Sequence, residues 1–222
     1  MMISPNTYYE FELKGKTQQE LAVCIQSLKK EINALKRELE DSTPEPECGI
    51  MPGPLTMLKC YREYLQTAIR AYTEAGGVYM PTMAERKDQE FNAALQKIRR
   101  FEFTYGGFFG GFESRSFEAD GETMVPVSEF SRTSDPFDLP VNEPCAKKEF
   151  IDGIAELHIG EWKRNYDDHS ILDGTQWSLE LTFEDGHRPV RIHGSNAFPW
   201  NFNDLLEFLR IPRKEEDSAY ED

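Results

Sequence analysis

The sequence predicts an α+β protein in which helices come first and an antiparallel sheet follows. Through most of the first hundred residues, apolar side chains recur every three or four positions, which is the helical period. From Phe101 onward they alternate, which is the period of a strand, and the pairs Asp120-Gly121 and Asp185-Gly186 are typical of hairpin turns. The predicted organisation is a mainly helical arm over 1–99, a sheet domain with helices on one face over 100–212, and an acidic tail over 213–222.

The arm is predicted to begin with one short strand and to continue as a long helix. Residues Tyr8 to Leu13 alternate after an aromatic pair, which predicts the strand. Thr17 and Glu20 have the capping-box spacing that starts a helix. This helix carries a narrow apolar seam of about three heptads, made of Leu21, Ile25, Leu28, Ile32, Leu35 and Leu39.

Proline and glycine end the first helix and separate it from the second. Residues 42–53 contain three prolines and two glycines, so the chain must turn there. A second helix is predicted over about 54–75, and a third over about 83–99, where Thr82 and Glu85 repeat the capping-box spacing. Two long helices with a short break form a hairpin. We expect the seam to face the second helix within one chain or across a dimer, at Leu58, Tyr61, Leu65 and Tyr72.

The sheet domain contains two series of strands, and each series ends in a helix. This similar order allows a diverged tandem repeat of a βββα unit. The first series comprises strands at Phe101–Tyr105, Phe112–Phe117 and Met124–Phe130 and a helix at Cys145–His158; the second comprises strands at Glu161–Tyr166, Trp177–Phe183 and Val190–His193 and a helix over about 201–210.

Strict alternation in one strand predicts which of its side chains are buried. Between Trp177 and Phe183, every second residue is large and apolar. Because successive side chains of a strand point to opposite faces, these residues share one face. We expect Trp177, Leu179, Leu181 and Phe183 in the core, and Ser178, Glu180 and Thr182 on the opposite face.

The charge is unevenly distributed along the chain. Residues 1–100 sum to zero, so the whole net charge of −15 lies in residues 101–222. Such an acidic half repels phosphates, and we expect no direct binding of nucleic acid. No apolar run approaches the roughly 18 residues of a membrane span, and the first residues lack the order of a signal peptide. We therefore expect no membrane association and a cytoplasmic location.

The cysteines do not form a recognisable metal or disulfide motif. They are too widely spaced for a zinc site and too few for a disulfide framework. We expect reduced thiols at Cys24, Cys48, Cys60 and Cys145.

Two segments near the C-terminus form a recognisable pattern. One is the strand Asp173-Gly-Thr-Gln-Trp177, and the other is Gly194-Ser-Asn196-Ala-Phe-Pro199 before a short helix. The pattern resembles a family of uncharacterised bacterial proteins with an Asp-Gly-x-x-Trp strand and a Gly-x-Asn-Ala-x-Pro segment. The glycine-rich run Tyr105–Gly111 fits it too, and the resemblance spans roughly residues 100–212. It implies no catalytic or binding residue, since no activity is established for that family.

Two aromatic segments are candidates for a binding surface. The run Tyr105–Gly111 lies between strands and lacks the Lys and Ser/Thr of a phosphate loop, so it predicts a wide turn or an exposed apolar lip. The indole of Trp200 is expected either to lie under the sheet edge or to anchor a partner. The candidate surface comprises Phe108, Phe109, Trp200 and Asn196.

One acidic segment offers groups for metal binding or acid–base chemistry. Asp167, Asp168 and His169 supply carboxylates and an imidazole, and Asp173 or Glu161 could add another carboxylate. The other histidines that the fold could bring there are His158, His187 and His193. Adjacent acids in a polar connection more often form turns. We therefore expect no catalytic residue, metal or cofactor.

These features favour a non-catalytic cytoplasmic binding or adaptor protein over an enzyme. Its partner would be an unidentified protein or, through the 18–41 helix, a second copy of the chain. Two alternatives stay open. One is a metal- or acid–base-dependent hydrolase that uses the 167–169 region. The other is an acidic mimic of nucleic acid that inhibits a DNA- or RNA-binding protein.

Overall fold

The computed structural model describes residues 2–41, 52–107, 111–127, 143–171, 174–184 and 186–211. The chain divides into two compact units between Pro81 and Thr82. Unit 1 (1–81) is helical, whereas unit 2 (82–222) contains the seven described strands. Helices followed by a mostly antiparallel sheet confirm the predicted α+β class. The third predicted helix lies in unit 2.

Unit 1 is built on a helical hairpin. Its elements are α1 (Pro5–Tyr8), a π-helical turn (Tyr9–Leu13), α2 (Gln18–Asp41) and α3 (Pro54–Glu74). The predicted capping box at Thr17 and Glu20 is present. Side chains from the first half of α2 share one apolar cluster with side chains from Tyr64 onward in α3, as an antiparallel hairpin requires.

The seam of α2 is buried within one chain. Five of its six residues, Leu21, Ile25, Leu28, Ile32 and Leu35, are at most 8% exposed, and Leu39 is half-buried. Of the residues predicted to face the seam, Leu58 is fully buried. Tyr61, Leu65 and Tyr72 are partly buried and pack against the apolar cluster that α2 and α3 share. Any self-association through α2 would therefore use its outer face, where Val23 is 65% exposed.

The strand predicted over Tyr8–Leu13 is wrong, because this segment is helical. Ser4 caps α1 by accepting a hydrogen bond from the backbone of Thr7, and Pro5 occupies the first turn, where its fixed φ suits a helix. The alternation was misleading, since Phe11 is 80% exposed and does not belong to a buried strand face.

A contact distant in sequence holds this helical start in place. The ring of Tyr8 stacks on Tyr64 of α3 with centroids 4.2 Å apart. The Tyr64 hydroxyl donates to the carbonyl of Ile3 at 2.6 Å and accepts from its amide at 2.9 Å. Burial raises the pKa of Tyr8 to about 12, so its phenol is neutral at physiological pH.

Unit 2 is a seven-stranded sheet with the order β4-β3-β2-β1-β6-β7-β5. All neighbouring strands are antiparallel except β5 and β7, which are parallel. The elements are α4 (Met83–Leu95), β1 (Ile98–Gly107), β2 (Gly111–Asp120), β3 (Thr123–Pro126), β4 (Cys145–Ala146), α5 (Lys147–Glu156), a 3-10 turn (Ile159–Glu161), β5 (Asn165–Asp167), β6 (Thr175–Phe183), β7 (Val190–Ser195) and α6 (Phe202–Phe208).

The register predicted for β6 is confirmed. Trp177, Leu179, Leu181 and Phe183 are at most 8% exposed, and the alternate residues are half-buried or exposed. The helices α5 and α6 pack on this apolar face. Phe150 of α5 lies 5.4 Å from Phe101 of β1, and Phe202 of α6 lies 5.0 Å from Trp177, between ring centroids.

The tandem repeat is not confirmed, because the two series pair differently. In the first series β1 pairs with β2, whereas β5, the corresponding first strand of the second series, pairs with β7 in parallel.

The third helix ends earlier than predicted, at Leu95. Ile98 begins β1, and a bulge between Ile98 and Arg100 interrupts the alternation that would have identified the strand.

No helix within the described ranges combines the length and apolar composition that crossing a membrane requires.

Candidate functional site

Two parts of unit 2 bring an imidazole and two carboxylates together. Asp88 lies on α4, and His158 and Glu161 lie on the turn that follows α5. One nitrogen or oxygen atom of each side chain lies within 4.8 Å of those of the other two. His158 Nδ1 is 3.0 Å from Asp88 Oδ2. Asp88 and His158, seventy positions apart, thus share one small site.

The turn after α5 positions His158 and Glu161. His158 has a φ of +49°, a left-handed conformation that ends α5. The chain then forms the 3-10 turn, in which the amide of Glu161 donates to the carbonyl of His158 at 2.9 Å and Ile159 is buried in the core. This turn replaces the first part of the strand predicted over Glu161–Tyr166.

Gly160 allows the turn to approach α4 closely. A Cβ atom at this position would lie 2.5 Å from the Cα of Asp88 and 2.8 Å from the Cβ of Phe91. Real Cβ atoms essentially never lie within 3.0 Å of another such heavy atom, because the two atoms would overlap. The close-packed interior leaves little room to relieve the overlap. Only glycine therefore lets the turn rest on α4 without a shift of one of them.

The helix α4 supplies two polar side chains on successive turns, Asp88 and Asn92. Asp88 is only 8% exposed. The Asn92 amide nitrogen is 3.4 Å from Asp88 Oδ2. Among the described residues, Asp88 Oδ1 and Asn92 Oδ1 are buried without a hydrogen-bond partner. Unsatisfied buried polar atoms are costly and rare, and an ion is one of the few explanations for them.

Asp167 ends β5, and Asp168 and His169 follow it in a surface turn. Asp168 Oδ1 accepts hydrogen bonds from the hydroxyl of Ser170 at 2.7 Å and from its amide at 2.9 Å. These bonds, the one from the hydroxyl first, lower the pKa of the Asp168 carboxyl. Asp167 and His169 are exposed, as His193 is on the neighbouring strand β7. Within the described ranges, these groups do not form a three-residue metal cluster like the one at Asp88.

Of the candidate binding surface, Phe108 and Phe109 lie outside the described residues. Trp200 is 8% exposed, so its indole is tucked into unit 2 and offers little surface to a partner. Asn196 is half-buried with a φ of +57°, and its amide nitrogen donates to the carbonyl of Ile171 at 3.2 Å. This hydrogen bond ties the loop after β7 to the loop between β5 and β6.

Free cysteines are present at Cys24, Cys60 and Cys145, and Cys48 lies outside the described residues. Burial raises the pKa of the Cys60 and Cys145 thiols. Since the thiolate is the reactive form, these two cysteines are poor nucleophiles at neutral pH.

The sequence contains a signal for this site that hydrophobic periodicity does not identify. The sequence predictions place His158 and Glu161 with the 167–169 segment and do not include Asp88. Yet Asp88 and Asn92 have helical spacing with Phe91 and Leu95, which are buried. An acid and an amide on the buried face of a helix indicate a polar site in the core.

No protein-family model, curated protein or solved structure matches this chain. The resemblance to a bacterial family over residues 100–212 therefore remains without a matching family model. What the site can bind is therefore inferred from its geometry alone.

Replacing Asp168 and His169 together with alanine is expected to leave the melting temperature nearly unchanged. Both residues lie at the surface, and the hydrogen bonds that the Asp168 side chain accepts from Ser170 stay within its own turn. Calorimetry of the purified variant checks this. If this variant lost a tightly held metal ion that the Asp88→Asn variant retained, the prediction would be wrong and the 167–169 segment would become the metal site.

Proposed function

We propose that this protein is a non-catalytic binding protein whose ligand site, formed by Asp88, His158 and Glu161, takes a positively charged ligand. The observation that carries this proposal is the buried, unpartnered Oδ1 of Asp88 beside a second carboxylate. A buried carboxylate oxygen without a hydrogen-bond partner is costly, and a bound cation would remove that cost. The ligand could be a basic side chain of a protein partner, an organic cation or a metal ion.

The net charge of the C-terminal part of the chain supports a cationic ligand. All of the net charge of −15 lies in residues 101–222, which include His158 and Glu161. A negative field of this kind raises the local concentration of cations and speeds their association.

Binding is proposed rather than catalysis because the described candidates for a nucleophile are weak. The Cys60 and Cys145 thiols have raised pKa values, which disfavours the thiolate. The acid–base segment at Asp167–His169 lies at the end of β5 and in the surface turn after it, where Asp168 is already bonded to Ser170.

Thermal melting with three classes of cation tests the proposal. The probes are a lysine- and arginine-rich peptide, spermidine, and a panel of divalent metal ions. A ligand at about 100 times its Kd should stabilise unit 2 by about 2.7 kcal/mol and raise its melting temperature by roughly 5–10 °C. At least one class of cation is expected to raise the melting temperature of the wild type but not that of Asp88→Asn.

A matched control separates the site from general charge effects. Glu90→Gln removes one negative charge from an exposed position on the same helix. It should respond to the cation as the wild type does. If no class of cation distinguishes Asp88→Asn from Glu90→Gln, the proposed site is wrong.

A further inference from the structure

We infer that the positively charged ligand is a divalent transition-metal ion, with Zn²⁺ as the expected ion, and that Asn92 completes the site as a fourth ligand. This inference rests on the proposed function and goes further by naming the ligand and one more residue that binds it. The ligand set would be Asp88 and Asn92 from α4 and His158 and Glu161 from the turn after α5.

The donor atoms favour a transition metal over Ca²⁺ or Mg²⁺. An imidazole nitrogen combined with carboxylate oxygens suits Zn²⁺, Co²⁺ and Ni²⁺, whereas Ca²⁺ and Mg²⁺ prefer sites made of oxygen alone. His158 is half-buried, with 29% of its side chain exposed, so solvent can reach the site. The metal therefore has an entry path and a nitrogen ligand.

The spacing of the side chains matches one small ion. Ligand atoms of a tetrahedral Zn²⁺ with bonds of about 2.0–2.1 Å lie about 3.3 Å apart. His158 Nδ1 and Asp88 Oδ2 are 3.0 Å apart in a hydrogen bond that the ion would replace, and one ligand atom of Glu161 lies within 4.8 Å of each of these two residues. Small side-chain movements would bring all three onto one ion. This compact arrangement suits a single ion better than the broad planar fork of an arginine side chain.

Asn92 is assigned as the fourth ligand because its amide oxygen is buried without a partner in the described chain. Its amide nitrogen, which cannot bind a metal, faces Asp88 Oδ2 at 3.4 Å and donates a hydrogen bond to it. A half-turn of the amide would place the oxygen there in place of the nitrogen. Asp88 and Asn92 are four positions apart on α4, so they lie on the same helical face.

Calorimetric titration of the full chain, after treatment with a chelator, tests the metal directly. The titrants are Zn²⁺, Ca²⁺ and Mg²⁺ alone, and Co²⁺ is followed by its visible absorption, which reports on coordination geometry. We expect one Zn²⁺ per chain, weak binding of Ca²⁺ and Mg²⁺, and a Co²⁺ spectrum typical of a four-coordinate nitrogen and oxygen site.

Three variants test three of the four ligands, one at a time. Asp88→Asn keeps the size of the side chain, and His158→Asn keeps a residue that tolerates the left-handed backbone. Each of these two variants should weaken Zn²⁺ binding by at least about 100-fold. Asn92→Ala should weaken it by about 10–100-fold, since even the loss of a residue that only hydrogen-bonds to a metal ligand has an effect of this size. Glu90→Gln should bind as the wild type does, and circular dichroism checks that every variant is folded.

The outcomes separate this inference from the proposed function. If spermidine or the basic peptide stabilises the wild type and Zn²⁺ does not bind, the metal site is wrong and the cation site stands. Equal Zn²⁺ affinity in His158→Asn and Glu90→Gln would show adventitious surface binding and overturn the site. Equal affinity in Asn92→Ala and the wild type would remove Asn92 from the ligand set. If none of the cations binds, both proposals fall.

Discussion

Replacing Leu28 and Leu35 together with glutamate is expected to unfold unit 1. These residues are 8% and 7% exposed, and both lie on the seam that α2 buries. Each change removes about 1.5–3 kcal/mol of apolar burial and places a charge in its position. The combined loss is comparable with the whole stability of a small unit, which is about 5–15 kcal/mol. Loss of helical signal in far-UV circular dichroism measures the effect.

A matched variant on the same helix provides the control. Val23 is 65% exposed, so Val23→Glu adds a charge to α2 without burying it and should melt like the wild type. The tryptophans Trp162, Trp177 and Trp200 all belong to unit 2, so their fluorescence follows that unit separately. An unchanged melting temperature and solution mass in the double variant would mean that the helical hairpin does not exist.

Gly160→Ala is expected to destabilise unit 2 and to weaken cation binding at the same time. The new Cβ atom would lie 2.5 Å from the Asp88 Cα, a backbone atom that can move only if α4 moves. Overpacking of this kind costs about 1–3 kcal/mol. The shift would also separate Asp88 from the turn that carries His158. Denaturant unfolding followed by tryptophan fluorescence measures the stability, and cation titration measures the site.

Gly153→Ala is the corresponding control. The three atoms nearest to its Cβ atom would all belong to the ring of Phe208, and a half-buried side chain can rotate away more easily than a helix can shift. In addition, alanine favours the interior of α5 by about 1 kcal/mol over glycine. We expect a smaller loss than for Gly160→Ala. If the two variants have equal stability and bind the cation equally, the turn does not depend on close contact with α4.

Features that repeat within one element can be predicted from the sequence. The buried seam of α2 followed from its spacing of three and four residues, and the buried face of β6 followed from alternation. The capping boxes at Thr17 and Thr82 were also correct, because their partners lie three positions away. In each case the backbone geometry of a single helix or strand fixes which residues are neighbours.

Features that depend on contacts between distant segments became apparent only from the three-dimensional structure. The helical start at Tyr8 is held by Tyr64, and β5 pairs in parallel with β7. The candidate site joins Asp88 to His158 across seventy positions. Sequence spacing does not encode such contacts, because they depend on how whole elements pack. A polar residue such as Asp88 shows its role only when the turn lying against it is known.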